Sequence, residues 1–168
     1  MDMDIAKQYE EGTGTPFTDC LTGLFNPGFF QMIMEHEINR SNRTGDPFSV
    51  AVIDVDGFNL YNQSHGPLEG DKMLQKIARV IQDNVRKVDL TARYAADRFA
   101  VLMNNTDADS AMVSSERILS AVEEEFHQKT TVSIGLASYP ENGVTRHELL
   151  KKASEALITA KIKGKNSI

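Results

Sequence analysis

The chain has 168 residues, 40% of them hydrophobic and 25% charged, and reads as one soluble globular domain with length enough for a real core. Its formal charge of −6 gives no broad basic surface for a nucleic-acid polymer or an anionic membrane, while leaving room for one small nucleotide in a local basic pocket. No apolar run approaches the ~20 residues of a membrane helix, no basic-then-apolar leader opens the chain, and a single cysteine permits neither an internal disulfide nor a thiolate cluster.

The domain is therefore expected in the cytoplasm without direct membrane insertion, with Cys20 as a half-buried, small apolar side chain. Residues 1–16 are polar and acidic and end in Gly12-Thr13-Gly14-Thr15-Pro16, a linker or the frayed end of a preceding helix. The folded unit is expected over 17–168. Asn26-Pro27 reads as an N-cap with proline at the first helical position, and Phe29, Phe30, Ile33, Met34 and Ile38 carry a helix to about Arg43. Phe48 to Val55 is a β-branched run between Asp46-Pro47 and Asp56-Gly57, hence a strand that ends in carboxylates. Met73, Leu74, Ile77, Ala78, Val80 and Ile81 share one face of a helix from Asp71 to Val85.

Leu90 to Tyr94 and Arg98 to Met103 form a hairpin around Ala95-Ala96-Asp97. A helix from Ala108 to His127, a strand from Thr131 to Ser138 and a helix from Arg146 to Lys163 follow. The order contains a βαββαβ core, so the expected class is α+β: a ferredoxin-like, mainly antiparallel sheet with helices on one face. The first strand and the hairpin should lie side by side, bringing Asp54 near Asp97. The four histidines form no pair at metal-binding spacing and read as structural or solvent groups, and Met73, Met103 and Met112 read as core filler.

Several short motifs give this order a chemistry. They are Asp19-Cys20-Leu21-Thr22-Gly23-Leu24, Asp54-Val55-Asp56-Gly57-Phe58, Asn62, His65-Gly66, Gly70-Asp71, Arg93-Tyr94-Ala95-Ala96-Asp97-Arg98-Phe99, Ser133-Ile134-Gly135-Leu136-Ala137 and Ala160-Lys161-Ile162-Lys163-Gly164-Lys165-Asn166. In that order, over roughly residues 17–168, they resemble the diguanylate cyclase (GGDEF) family and its nucleotidyl-cyclase palm. The resemblance implies attack of the 3′-hydroxyl of one GTP on the α-phosphate of another, giving cyclic di-GMP and pyrophosphate. Such a reaction relies on positioning and on metal ions held by hard oxygen ligands. It further implies that Asp54, the Val55 carbonyl and Asp97 would hold Mg²⁺, that Asn62 and Asp71 would read guanine, and that Lys161 and Lys165 would meet the triphosphate. Lys165 stands where the family has arginine, so the fork becomes a point charge.

Three departures count against turnover. Ala95 and Ala96 replace two glycines that let the turn approach the nucleotide and permit φ > 0, and Arg98 replaces a glutamate, before the retained Phe99. An Arg98 ion pair with Asp54 or Asp97 would occupy the carboxylates meant for metal. Asn59 also replaces a lysine, and Pro27-Gly28 replace an arginine pair. Against this, Arg86-Lys87-Val88-Asp89 falls where the family has its RxxD product-binding site. Chance would supply both residues roughly four times in a thousand. Arginine can fork to guanine O6 and N7 while a carboxylate accepts from N1 and N2, and Arg117 matches a second arginine of that site.

Three functions thus compete: a catalytically silent receptor for cyclic di-GMP, a diguanylate cyclase of residual activity, and an interaction module for a signalling protein that needs no nucleotide. A homodimer is compatible with all three.

Overall fold

The computed structural model describes residues 16–168, and the linker expected over 1–16 lies almost wholly outside the described residues. Helix α1, Pro27–Thr44, starts where expected because the Asn26 side chain accepts from the Phe29 N–H at 2.9 Å. It stops at Gly45, which turns left-handed at φ 78°. Strand β1 is Phe48–Val55, and helices α2, Phe58–His65, and α3, Pro67–Asp83, follow. Strands β2, Leu90–Ala95, and β3, Arg98–Met103, form the hairpin. Helix α4, Ala108–Glu125, strand β4, Val132–Tyr139, and helix α5, Arg146–Ile162, complete the order. Helix α5 opens with a capping box in which Thr145 and Glu148 satisfy each other's backbone N–H groups.

Two helical expectations change. The segment before Asp71 is helical: α2 had not been anticipated, and α3 begins at Pro67. Neither helix has a side-chain cap, because Gly57 and Gly66 stand at the N-cap positions. At the other end of the hairpin unit, α4 stops at Glu125, since His127 and Gln128 adopt φ of 49° and 62°.

The sheet runs β2-β3-β1-β4, every neighbour antiparallel, so β1 lies centrally and pairs Asp54 with Arg98 on one side and Ser133 on the other. Helices on one face were expected; the sheet is covered on both. Ile53, Phe99 and Ile134 pack on Leu74 and Ile77 of α3 and Ile118 of α4, while Val50, Val52 and Leu102 pack on Phe30 and Met34 of α1 and Leu157 of α5. All eight residues of β1 are buried for this reason. Each fully buried large apolar side chain contributes about 1.5–3 kcal/mol relative to exposure. Met73 and Met103 belong to this core, but Met112 is 41% exposed on the outer side of α4, and Cys20 is exposed rather than half-buried. Helix α5 lies close on β4 because Gly135 has no side chain; a Cβ there would stand 1.9 Å from the Ala153 carbonyl oxygen.

Both margins of the sheet are engaged. Beside β2, Phe25 donates to the Thr91 carbonyl at 3.2 Å and accepts from the Arg93 N–H at 2.9 Å. Beside β4, the Ile134 N–H donates to the Ser167 carbonyl at 2.9 Å. Among the described residues no helix is long and apolar enough to cross a membrane.

Candidate active half-site and ligand loop

The end of β1 carries Asp54 into the interior with its side chain only 4% exposed. A buried carboxylate needs partners, and it has two cations. Arg98, directly opposite on β3, donates from Nε to Oδ2 at 2.8 Å, and Lys161, from the last turn of α5, donates to Oδ1. Arg98 and Lys161 remain 46% and 34% exposed, so the cations reach inward from the surface to meet the buried charge. Lys161, expected on a triphosphate, is thus committed to Asp54. Lys165 is exposed, with backbone φ 65°, and its side chain has no partner among the described residues.

The hairpin brings Asp97 beside this pair as expected: the Val55 N–H donates to the Asp97 carbonyl at 3.1 Å. The Asp97 carboxylate itself makes no hydrogen bond or ion pair among the described residues. A divalent ion expected here would meet a carboxylate that already carries a cation on each oxygen, and would have to share it with, or displace, two positive charges. No group of three or more metal-ligating side chains exists among the described residues.

The turn does not use the φ > 0 that glycines would permit. Ala95 and Ala96 have negative φ, and the register slips by one residue between Arg93 and Ala95, a bulge that absorbs the turn without the left-handed backbone alanine resists. Arg93 clamps it, donating from Nε and Nη2 to the Ala96 carbonyl at 3.2 and 2.8 Å and from Nη1 to Asp19 at 3.2–3.3 Å. Burial pushes the Asp19 carboxyl up, but hydrogen bonds from the Thr22 hydroxyl and N–H, with Arg93 adding to them, hold it below the usual carboxylate range. Phe99 is fully buried beneath the hairpin.

Asn62 on α2 and Asp71 on α3 lie on adjoining helices. Asn62 reaches Gly70: a Cβ on that glycine would stand 1.8 Å from Asn62 Oδ1, and that buried oxygen has no hydrogen-bond partner. Asp71 is exposed. A polar atom buried without a partner beside an exposed carboxylate is an arrangement suited to the donor and acceptor edge of a purine.

The loop after α3 carries the second cluster. Arg86 and Asp89 meet in a closed fork, Nε to Oδ2 at 3.1 Å and Nη2 to Oδ1 at 2.8 Å, and the Arg86 N–H also donates to Oδ2. Asp89's side chain is 3% exposed and Arg86's 48%, so the arginine is the accessible member. The Asp89 carboxylate holds the Arg86 guanidinium charged, above its ordinary range. Arg117 donates twice to the Asn84 carbonyl, at 3.0 and 2.8 Å, which fastens it to the same loop.

Asp56 is a node that the sequence reading missed. It accepts from the hydroxyls of Thr131 and Ser133, both at 2.8 Å, and from the Asn166 N–H at 3.1 Å. It therefore ties the start of β4 to the segment after α5, through partners 75 to 110 residues away.

Comparison with known proteins identifies the fold and the family. The chain is 37% identical over 158 residues to diguanylate cyclase DosC of Escherichia coli K12 and 34% identical over 160 residues to diguanylate cyclase A of Treponema denticola, covering 89% and 90% of this chain. It spans only 34% and 43% of those relatives' lengths. Among solved structures, the GGDEF domain of DgcB from Caulobacter crescentus in complex with c-di-GMP superposes with a TM-score of 0.84 at 25% identity, covering 94% of this chain and 96% of that one. The diguanylate cyclase SiaD in complex with its activator SiaC from Pseudomonas aeruginosa gives 0.86 at 27% identity, over 98% of this chain and 64% of that one. Residues 16–167 match the family model described as diguanylate cyclase, GGDEF domain, and the chain belongs to that family.

Proposed function

We propose that this GGDEF domain does not turn over GTP and serves as a receptor for cyclic di-GMP. The observation that carries the first half is the double ion pair on Asp54. A carboxylate whose two oxygens accept from Arg98 and Lys161 is already neutralised by two cations that a divalent ion would have to repel or displace, and the lysine meant for phosphate is engaged by the same charge. Phosphoryl transfer without a positioned cation loses its main source of charge stabilisation. Asp97, whose carboxylate has no partner among the described residues, is a single carboxylate.

The second half rests on Arg86 and Arg117, two exposed guanidinium groups fastened to one loop. Arginine suits the O6 and N7 acceptors of guanine. Asp89 orients Arg86 in the resting loop, and it reaches guanine N1 and N2 only by giving up part of that fork. The expected location is the cytoplasm.

Two experiments test the reading. Purified domain incubated with GTP and Mg²⁺ or Mn²⁺ is expected to yield no cyclic di-GMP above a blank; product would refute the loss of catalysis. Calorimetric titration with cyclic di-GMP is expected to give micromolar or tighter binding that R86A abolishes, and no binding would leave a protein-docking remnant as the better reading.

A further inference from the structure

Arg86 is held from a side that its RxxD partner does not supply. Besides Asp89, its Nη2 donates to the Asn104 carbonyl and to Thr106 Oγ1, each at 2.6 Å. Thr106 is 3% exposed and is itself fixed: its hydroxyl donates to the Asn104 carbonyl at 2.8 Å, and its N–H donates to Pro47 O at 3.2 Å. Its own carbonyl accepts from Ser49 Oγ at 2.9 Å, and Ser49 shares a 2.7 Å hydrogen bond with Ser138 across the sheet. A guanidinium has five N–H donors. Nε and Nη2 account for three, which serve four acceptors, so two of the Nη2 partners share one hydrogen; the two on Nη1 have no partner among the described residues.

We infer that Thr106 is a positioning residue for the cyclic di-GMP site, holding Arg86 so that its Nη1 edge faces solvent and is ready for a guanine acceptor. This rests on the receptor reading above and goes beyond the Arg86-Asp89-Arg117 set. A long side chain frozen before the ligand arrives loses less freedom on binding, and an arginine set between a backbone carbonyl and a buried hydroxyl cannot swing away. Valine at 106 keeps the shape and removes the acceptor. Serine keeps the acceptor.

The test compares wild type, T106V and T106S by calorimetric titration with cyclic di-GMP, with thermal melts to establish folding and NMR relaxation of the Arg86 Nε–H as a reading independent of ligand. T106V is expected to weaken binding about three- to ten-fold, in line with one released side chain. It should also raise Arg86 Nε–H mobility, and T106S should restore both. Wild type that does not bind overturns the receptor reading and this inference with it. Binding by wild type with T106V equal or tighter overturns the role of Thr106 alone, as does an unchanged Arg86 Nε–H signal in folded T106V.

Discussion

Replacing Arg98 probes the central claim most directly. With charge centres about 4 Å apart, the Arg98–Asp54 attraction is about 4 kcal/mol at an effective dielectric of 20. Arg98 is 46% exposed, so solvent screening and its own desolvation remove much of that. Stripping the only partner from a buried charge costs about 3–5 kcal/mol, but here Lys161 remains on the other oxygen. R98A should therefore cost about 1–2 kcal/mol, a fall in Tm of about 3–6 °C for a domain of this length. R98E should fall roughly twice as far, since it sets a carboxylate opposite Asp54 in the strand register. That crowding of carboxylates is what a divalent ion neutralises. Melting in EDTA and in millimolar MnCl₂ should leave wild type unmoved and raise the Tm of R98E by an amount that grows with Mn²⁺, by about 2.7 kcal/mol of stability at one hundred times the dissociation constant. A wild-type Tm that climbs with Mn²⁺ as steeply as that of R98E would refute the argument, because Asp54 would then be open to metal with Arg98 in place.

Other consequences are equally specific. Because the folded Asp19 carboxyl lies below its unfolded value near 3.9, its contribution is present above about pH 4 and lost as pH falls through the depressed folded value. D19N should thus be about 1 kcal/mol less stable than wild type in urea at pH 7, with the gap closing as pH falls through the depressed folded value. G135A drives a methyl into the α5 backbone, 1.9 Å from the Ala153 carbonyl and 2.4 Å from the Leu157 nitrogen, and should cost about 3 kcal/mol in a denaturant titration. G70A meets only the movable end of Asn62, and alanine favours the helix by about 1 kcal/mol. Its stability should be within about 1 kcal/mol of wild type, while any calorimetric affinity for GTP drops to that of N62A.

What was legible in the sequence follows the range of the interactions. β1 could be bounded from its β-branched run and flanking turn residues, and its nearly unbroken apolar character was already the mark of burial on two faces, which the one-sided expectation overlooked. Helix α2 escaped because Phe58–His65 is largely polar and lacks a side-chain cap; packing against α3 and the left-handed Gly57 define it instead. The Arg98–Asp54 pair was readable because a charge reversal stood in a hairpin expected beside β1. Lys161 on the same carboxylate was not, since nothing local says which of two nearby anions a lysine at a helix end will choose. The turn at Ala95 and Ala96 was hidden for a related reason: a bulge is a property of the paired strands and leaves no mark in either alanine.

The hydrogen bonds that Phe25 and Ser167 make along the outer strands bear on how such domains associate. An exposed strand border invites another polypeptide to extend the ladder, the route to both specific strand addition and uncontrolled aggregation. Here segments of the same chain already occupy part of each border. That shortens the run of ladder open to a second copy or a signalling partner and favours approach through helix surfaces and loop side chains. Contacts of that kind are set by charge and shape at particular residues, so they can be altered one residue at a time without disturbing the sheet.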